Sequence, residues 1–162
     1  MLSVLNRVEG ILPLLMQERV AWHSVFVDYE HPFVERLWRE WGEYRVYLHR
    51  IHPCAAGIAL FHPHPWPSAM KVLSGAYQMA VGYGSGEVVP PIVATLVLGA
   101  GSRYEMVDPD GWHSVRPLEV PSLSLMVTGT PWRRWSPKSE GRLRALTADE
   151  ERTLFADVAH VL

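Results

Sequence analysis

Phe61-His62-Pro63-His64-Pro65-Trp66-Pro67-Ser68, continued by Ala69-Met70-Lys71-Val72-Leu73-Ser74-Gly75, is the stretch of this chain on which the fold turns. Its second half is a short apolar run closed by a glycine, the texture of a buried strand entering a turn. Its first half carries two histidines one residue apart. Strand side chains alternate between faces, so His62 and His64 point the same way, and two imidazoles so placed can share one metal ion. A lone His-x-His pair is as much at home on an ordinary surface, so the pair gains weight only if another segment brings a third ligand.

Outward from this stretch the same texture continues. Short β-branched and aromatic runs separated by Gly and Pro fall at residues 44–51, 56–61, 69–73, 76–83, 93–98, 103–107, 112–115 and 122–128. About eight strands with turns every ten residues or so predict an antiparallel sandwich or barrel. Before Gly42 the pattern changes. Val4, Leu5, Val8, Ile11, Leu12, Leu15 and Met16 recur at helical spacing, and Pro13 predicts a kinked helix or two short ones there. Residues 22–29 fit a strand. Residues 32–41 repeat the helical period through Phe33, Leu37 and Trp41, with Pro32 suited to a first turn. Near the end, Thr147 and Glu150 form a capping box for a final helix over 148–160. The expected organisation is one domain over 1–162: a helical segment 1–42, a β core 43–135, and a tail with a helix 136–162.

The third histidine comes from Asp108-Pro109-Asp110-Gly111-Trp112-His113, a tight turn that launches a strand with His113 at its start. Together the two stretches resemble the paired motifs of the cupin superfamily, G(x)5HxH(x)3-4E(x)6G and G(x)5PxG(x)2H(x)3N. His62, His64 and Gly75 match the first in register. Pro109, Gly111 and His113 match the second, with one residue fewer between Gly and His. Ser68 or Ala69 stands where the first motif has a glutamate ligand, Gly57 is one residue short of its usual spacing, and Pro117 takes the asparagine position.

A three-histidine set without the glutamate resembles the cysteine-dioxygenase-like branch of these RmlC-like proteins. The likeness extends to bacterial and phage cupins of uncharacterised activity that carry His-x-His-Pro-Trp and a later Leu-x-x-Thr-Gly-x-x-x-Arg-x-Trp run, here residues 125–135. The resemblance implies an all-β double-stranded β-helix, a jelly-roll barrel, flanked by N-terminal and C-terminal helices. It also implies one divalent metal ion on His62, His64 and His113. Iron(II) is the favoured ion, with zinc, nickel, manganese or copper as alternatives that imidazole also suits. The implied activity is a non-haem iron dioxygenase-like oxidoreductase acting on a small organic acid or thiol. The alternative is a non-redox metal-bound cupin: an isomerase, a hydrolase, or a small-ligand-binding or sensor protein.

Three neutral imidazoles leave the full +2 on such an ion, which favours an anionic substrate. In the strand Arg45-Val46-Tyr47-Leu48-His49-Arg50-Ile51-His52, Arg45, Tyr47 and His49 share one face, and Arg50 and His52 the other. If the former lines the pocket, Arg45 would clamp a substrate carboxylate. Tyr77 and Met79 share a parity on the next strand, and Tyr77 is the second candidate catalytic side chain. Glu105 reads as a solvated residue, the alternative being a late ligand or base, and His23, His31 and His160 read as structural.

Composition narrows the partners. A net charge of −2 and a sequence pI near 6.4 give no field for nucleic acid or an anionic membrane. Cys54 is the single cysteine, so no internal disulfide can form, and a cytoplasmic setting is expected. No apolar run approaches the roughly 18 residues of a membrane-spanning helix. The expected partners are a small-molecule substrate and, through the apolar face of the N-terminal helix, a second copy in a homodimer.

Overall fold

A computed structural model describes residues 1–85, 87–133 and 137–162; Arg134 and Trp135 of the 125–135 run lie outside the described residues. The chain opens with α1 (Leu2–Gln17). Among the described residues ten strands follow: β1 (His23–Val27), β2 (Val34–Trp41), β3 (Tyr44–Ile51), β4 (His62–Pro63), β5 (Ser68–Ser74), β6 (Ala76–Tyr83), β7 (Ile92–Gly99), β8 (Arg103–Met106), β9 (Gly111–Pro117) and β10 (Ser122–Thr128). The last element is α2 (Ala148–Val161). The strands form a six-stranded sheet in the order β1-β2-β3-β10-β5-β8 and a four-stranded sheet in the order β4-β9-β6-β7. All pairings are antiparallel. This is a jelly-roll sandwich flanked by two helices. It is not a closed barrel, because both sheets keep free edges.

Alternation along the strands of the large sheet builds two cores. Leu37, Val46, Leu48, Leu125 and Val127 face outward and pack under Val4, Leu5, Val8 and Leu12 of α1 and Leu154, Phe155 and Val158 of α2. Residues one step out of phase face the small sheet: Tyr47, Ile51, Met70, Val72 and Met126 meet Tyr77, Met79 and Val115 there. The apolar stripe of α1 is therefore buried within its own chain. Pro13 sits inside a continuous helix, so two short helices do not form. The capping box of Thr147 and Glu150 is present as read from the sequence.

Two segments differ from their expected secondary structure. Residues 32–41 are not a helix but contain β2, paired along its length with β3 from Val34↔Ile51 to Trp41↔Tyr44. The spacing of Phe33, Leu37 and Trp41 by four residues fits a helical face, but four is also a multiple of two, so the same residues line one face of a strand. Residues 56–61 are not a strand either: Gly57 adopts a positive φ of 82° and breaks the run. The first histidine-bearing strand shrinks to His62–Pro63 because Pro63 and Pro65 have no N–H to give to a ladder.

Two glycines fix the frame around the histidines. Gly75, at the turn between β5 and β6, has a φ of 73°, which L side chains rarely adopt. Gly82 in β6 lies so close to its neighbours that a Cβ would stand 2.7 Å from the Pro91 carbonyl oxygen and 2.8 Å from the Phe61 ring. Gly82→Ala should therefore push on Phe61, the residue before His62, and destabilise the protein by about 1–3 kcal/mol. Urea unfolding of the variant measures this, and an unchanged midpoint would contradict the close packing.

The outermost strand of the small sheet is uncovered. Ile92, Val93, Leu96 and Val97 of β7 are 58%, 70%, 45% and 65% exposed, so both faces of this uncharged edge meet solvent.

Candidate metal centre

His62 and His113 are direct cross-strand partners on β4 and β9, so they lie on one face of the small sheet, and His64 follows two residues on. The ring centroids of His62 and His64 are 5.5 Å apart, those of His62 and His113 5.0 Å, and those of His64 and His113 4.5 Å. One ring nitrogen from each residue lies within 4.8 Å of the others. Among the described residues this is the only group of three or more His, Cys, Asp or Glu side chains so placed.

Hydrogen bonds assign the nitrogens. His62 Nδ1 lies 3.0 Å from the Leu60 carbonyl, which can only accept, so Nδ1 carries the proton and Nε2 keeps its lone pair. His64 Nδ1 lies 2.8 Å from Ser68 Oγ, and the Nε2 atoms of His64 and His113 face each other at 2.8 Å. Two lone pairs cannot oppose each other at that distance. Either one nitrogen donates a proton to the other, or both give their lone pairs to a cation between them.

The residues fit a metal ion. Two metal–imidazole bonds of about 2.1 Å span at most about 4.2 Å, so the trio closes on an ion with small side-chain adjustments. Ser68 is buried and is one of the two residues, with Ala69, that stand where the motif expects a glutamate. Here that position orients a histidine ligand, as outer partners of metal-bound histidines do. The buried Nδ1 of His113 has no hydrogen-bond partner among the described residues.

Burial is the largest influence on His62, His64, His113 and His49, and it disfavours their charged form. It lowers His62, against the opposing bond to Leu60, and, aided by His62 and Arg36, brings His64 to about 3. His113 and His49 are held well below the ordinary histidine value. All four are therefore neutral at pH 7, the state a metal ligand requires.

A pH dependence follows. Below an unfolded-state pKa near 6.5 the unfolded chain binds protons that the native imidazoles refuse, so stability is full above that value and falls as the pH drops through it. For chelator-treated protein, urea unfolding between pH 6.5 and 5 should show stability lost at up to about 1.4 kcal/mol per pH unit for each histidine held neutral. A flat profile across this window, above the range where carboxylates titrate, would contradict the buried neutral cluster.

The histidines border a cavity of about 240 Å³ between the sheets, lined largely by apolar side chains such as Val34, Ile51, Met70, Val115 and Met126. Arg45 does not reach it. It lies on the expected face of β3, but at the strand's first turn, half exposed and 4.0 Å from Glu40, beside a separate depression bordered by Thr128 and Pro131. Tyr77 is fully buried behind the site. Its hydroxyl lies 3.2 Å from that of Tyr104, whose ring is 6.2 Å from His113. Burial pushes Tyr77 up to about 12, so it stays protonated. Glu105 is not near the histidines; it accepts from the Leu2 backbone nitrogen at 2.9 Å, at the start of α1. His31 lines the cavity and stacks on Phe33 with centroids 4.2 Å apart.

Sequence reasoning missed Arg36 and gave His49 no role. The two are cross-strand partners on β2 and β3, both line the cavity, and Arg36 Nε donates to His49 Nε2 at 3.0 Å. Alternation along β2 would have revealed Arg36 had residues 34–41 been read as a strand.

No family profile and no curated protein sequence matches this chain. Solved structures with a similar arrangement include KdgF from Halomonas sp., at 16% identity over 67% of this chain and 88% of that one, with a TM-score of 0.49. Hydroxypropylphosphonic acid epoxidase from S. wedmorenis is similar at 13% identity over 66% of this chain and 55% of that one, TM-score 0.49. An RmlC-like cupin from Shewanella frigidimarina is similar at 15% identity over 68% and 86%, TM-score 0.47.

Proposed function

We propose that this chain is a metal-dependent cupin oxidoreductase of the non-haem iron dioxygenase type, in which His62, His64 and His113 hold one divalent ion. Iron(II) is the favoured ion and a small organic acid or thiol the substrate class. The observation that carries this reading is the convergence of three neutral imidazoles, with no carboxylate in the cluster among the described residues. Such a set leaves the ion its full charge and open positions, and a bound redox-active ion would supply dioxygen chemistry there. The chain's own residues hold the ligands and shape the site. Leu60 fixes the tautomer of His62 and Ser68 orients the ring of His64, and the apolar lining limits water. Residues 1–162 read as one folding unit, a reading supported by the core that both helices share with the large sheet.

The test is metal analysis of purified, untagged protein by mass spectrometry, followed by anaerobic reconstitution with ferrous iron and oxygen-uptake assays with carboxylates and thiols. About one ion per chain and uptake that disappears in His64→Ala are expected. Zinc or nickel in preference to iron, with no oxygen uptake, would overturn the oxidoreductase reading in favour of a non-redox isomerase, hydrolase or sensor. Absence of any bound ion would overturn both.

A further inference from the structure

Among the described residues the two sheets end in four edge strands, and three of them are guarded. β1, at one end of the large sheet, gives the Phe26 N–H to the Arg144 carbonyl at 2.9 Å, so the segment before α2 covers it. β8, at the other end, is four residues long and carries Arg103 and Glu105. β4 has two residues, one of them Pro63, which has no N–H to offer. Short length, charge, proline and a covering segment are the ordinary means by which edge strands are kept from pairing with other chains.

β7 lacks all four. It is eight residues long, with neither charge nor proline, and no residue from Val88 to Ser102 is charged. A register shift between Val81 and Gly82 confines irregularity to its start, and from Ala94 to Gly99 the ladder with β6 is regular. Every residue from Pro91 to Val97 is exposed. Among the described residues no strand pairs with the outer side of β7, so its outward N–H and C=O groups form an open row. A long, uncharged aliphatic edge of this kind is a template for another strand.

The chemistry of the edge selects which strand that is. A foreign peptide is held specifically by pockets or charges beside the edge, and here there is no charge to read one with. A second copy needs none. A twofold axis normal to the sheet sets β7 antiparallel to its own copy, the sense of its pairing with β6. That axis keeps Leu96 of both copies on the side of the large sheets and Thr95 and Val97 of both on the other. Leu96 lies opposite Met79 of the core between the sheets, and Val97 opposite Gln78, so each face continues across the join. No like charges meet. The arrangement also closes, because the joined sheet runs β4-β9-β6-β7-β7-β6-β9-β4 and ends on both sides at the strand that Pro63 blunts.

We infer that β7 is the interface of a twofold dimer of this chain, in which two four-stranded sheets join edge to edge. The inference does not rest on the metal-site reading.

The test is size-exclusion chromatography with light scattering on the purified full chain. At micromolar concentration the mass should be twice the 18.4 kDa of one chain. Thr95→Lys with Val97→Lys places charges at exposed positions where like charges would meet across the join. Such contacts are costly at an interface, and the dissociation constant should rise about a hundredfold or more. Thr95→Glu with Val97→Glu should dissociate in the same way, and an equal mixture of the lysine and glutamate variants should recover the dimer. The urea midpoint of the lysine variant should match that of wild type diluted to the monomer, which shows that the variant folds. Hydrogen exchange at the β7 amides that do not donate to β6 should be slow in wild type and fast in the lysine variant. A wild type that is monomeric at every concentration would overturn the inference. So would a lysine variant within twofold of wild-type affinity, oligomers that grow beyond the pair, or a complex of one copy with a different chain.

Discussion

Replacing His113 by alanine should reduce bound metal from about one ion per chain to a trace. Partners that only orient a metal-bound histidine are worth roughly 10- to 100-fold in affinity, and loss of one of three direct ligands should exceed that. The effect should also appear as stability. An ion at about a thousand times its dissociation constant stabilises the native state by about 4 kcal/mol, and each kcal/mol moves the midpoint of a chain this size by about 2–4 °C. Wild type should therefore gain about 10 °C on loading and His113→Ala almost nothing, with His160→Ala, at an exposed position on α2, behaving as wild type. An equal gain in His113→Ala and wild type would place the ion elsewhere.

The second large effect lies on the opposite face of the large sheet. Glu35 is only 7% exposed, forms an ion pair with Arg50 and lies within hydrogen-bond distance, 2.9 Å, of His52 Nε2. Arg50 reaches on to Asp157 of α2 at 2.6 Å, so these groups fasten the helix to β2 and β3. Glu35→Ala leaves the Arg50 guanidinium, whose side chain is 12% exposed, with only the half-exposed Asp157. Breaking a buried pair in this way costs about 3–5 kcal/mol. The apolar double variant Glu35→Leu with Arg50→Met should recover most of that loss, because it leaves no buried charge behind. Urea unfolding of the two single variants and the double variant measures the coupling. Single losses that simply add in the double variant would contradict it.

The parts of the fold that were legible in the sequence are those where one local signal stood alone. β3 and β10 are β-branched and aromatic runs cut by turns, and α2 announces itself through Thr147 and Glu150. β2 was not legible as a strand because its apolar spacing satisfies both periods, and only pairing with β3 selects one. That single ambiguity hid Arg36 while the same reasoning placed His49 on the correct face. The three histidines were legible because motif spacing does not depend on knowing how the strands pair. Arg45 shows the limit of parity arguments: alternation gives the face of a sheet, but a residue at the end of a strand can lie on the right face and still be far from the pocket. The place of Ser68 could be read, but its bond to His64 could not, because that depends on the turn through Pro65 and Pro67.

His62 and His113 sit opposite each other on a single rung between β4 and β9, though they come from distant parts of the chain. Neither strand can gather the ion before the other has docked, and the shorter is only two residues long. Capture of the ion should thus trail the rest of folding and act as a clasp between the two strands. A chromogenic chelator in a refolding mixture would then serve as a clock for the moment at which the smaller sheet is complete.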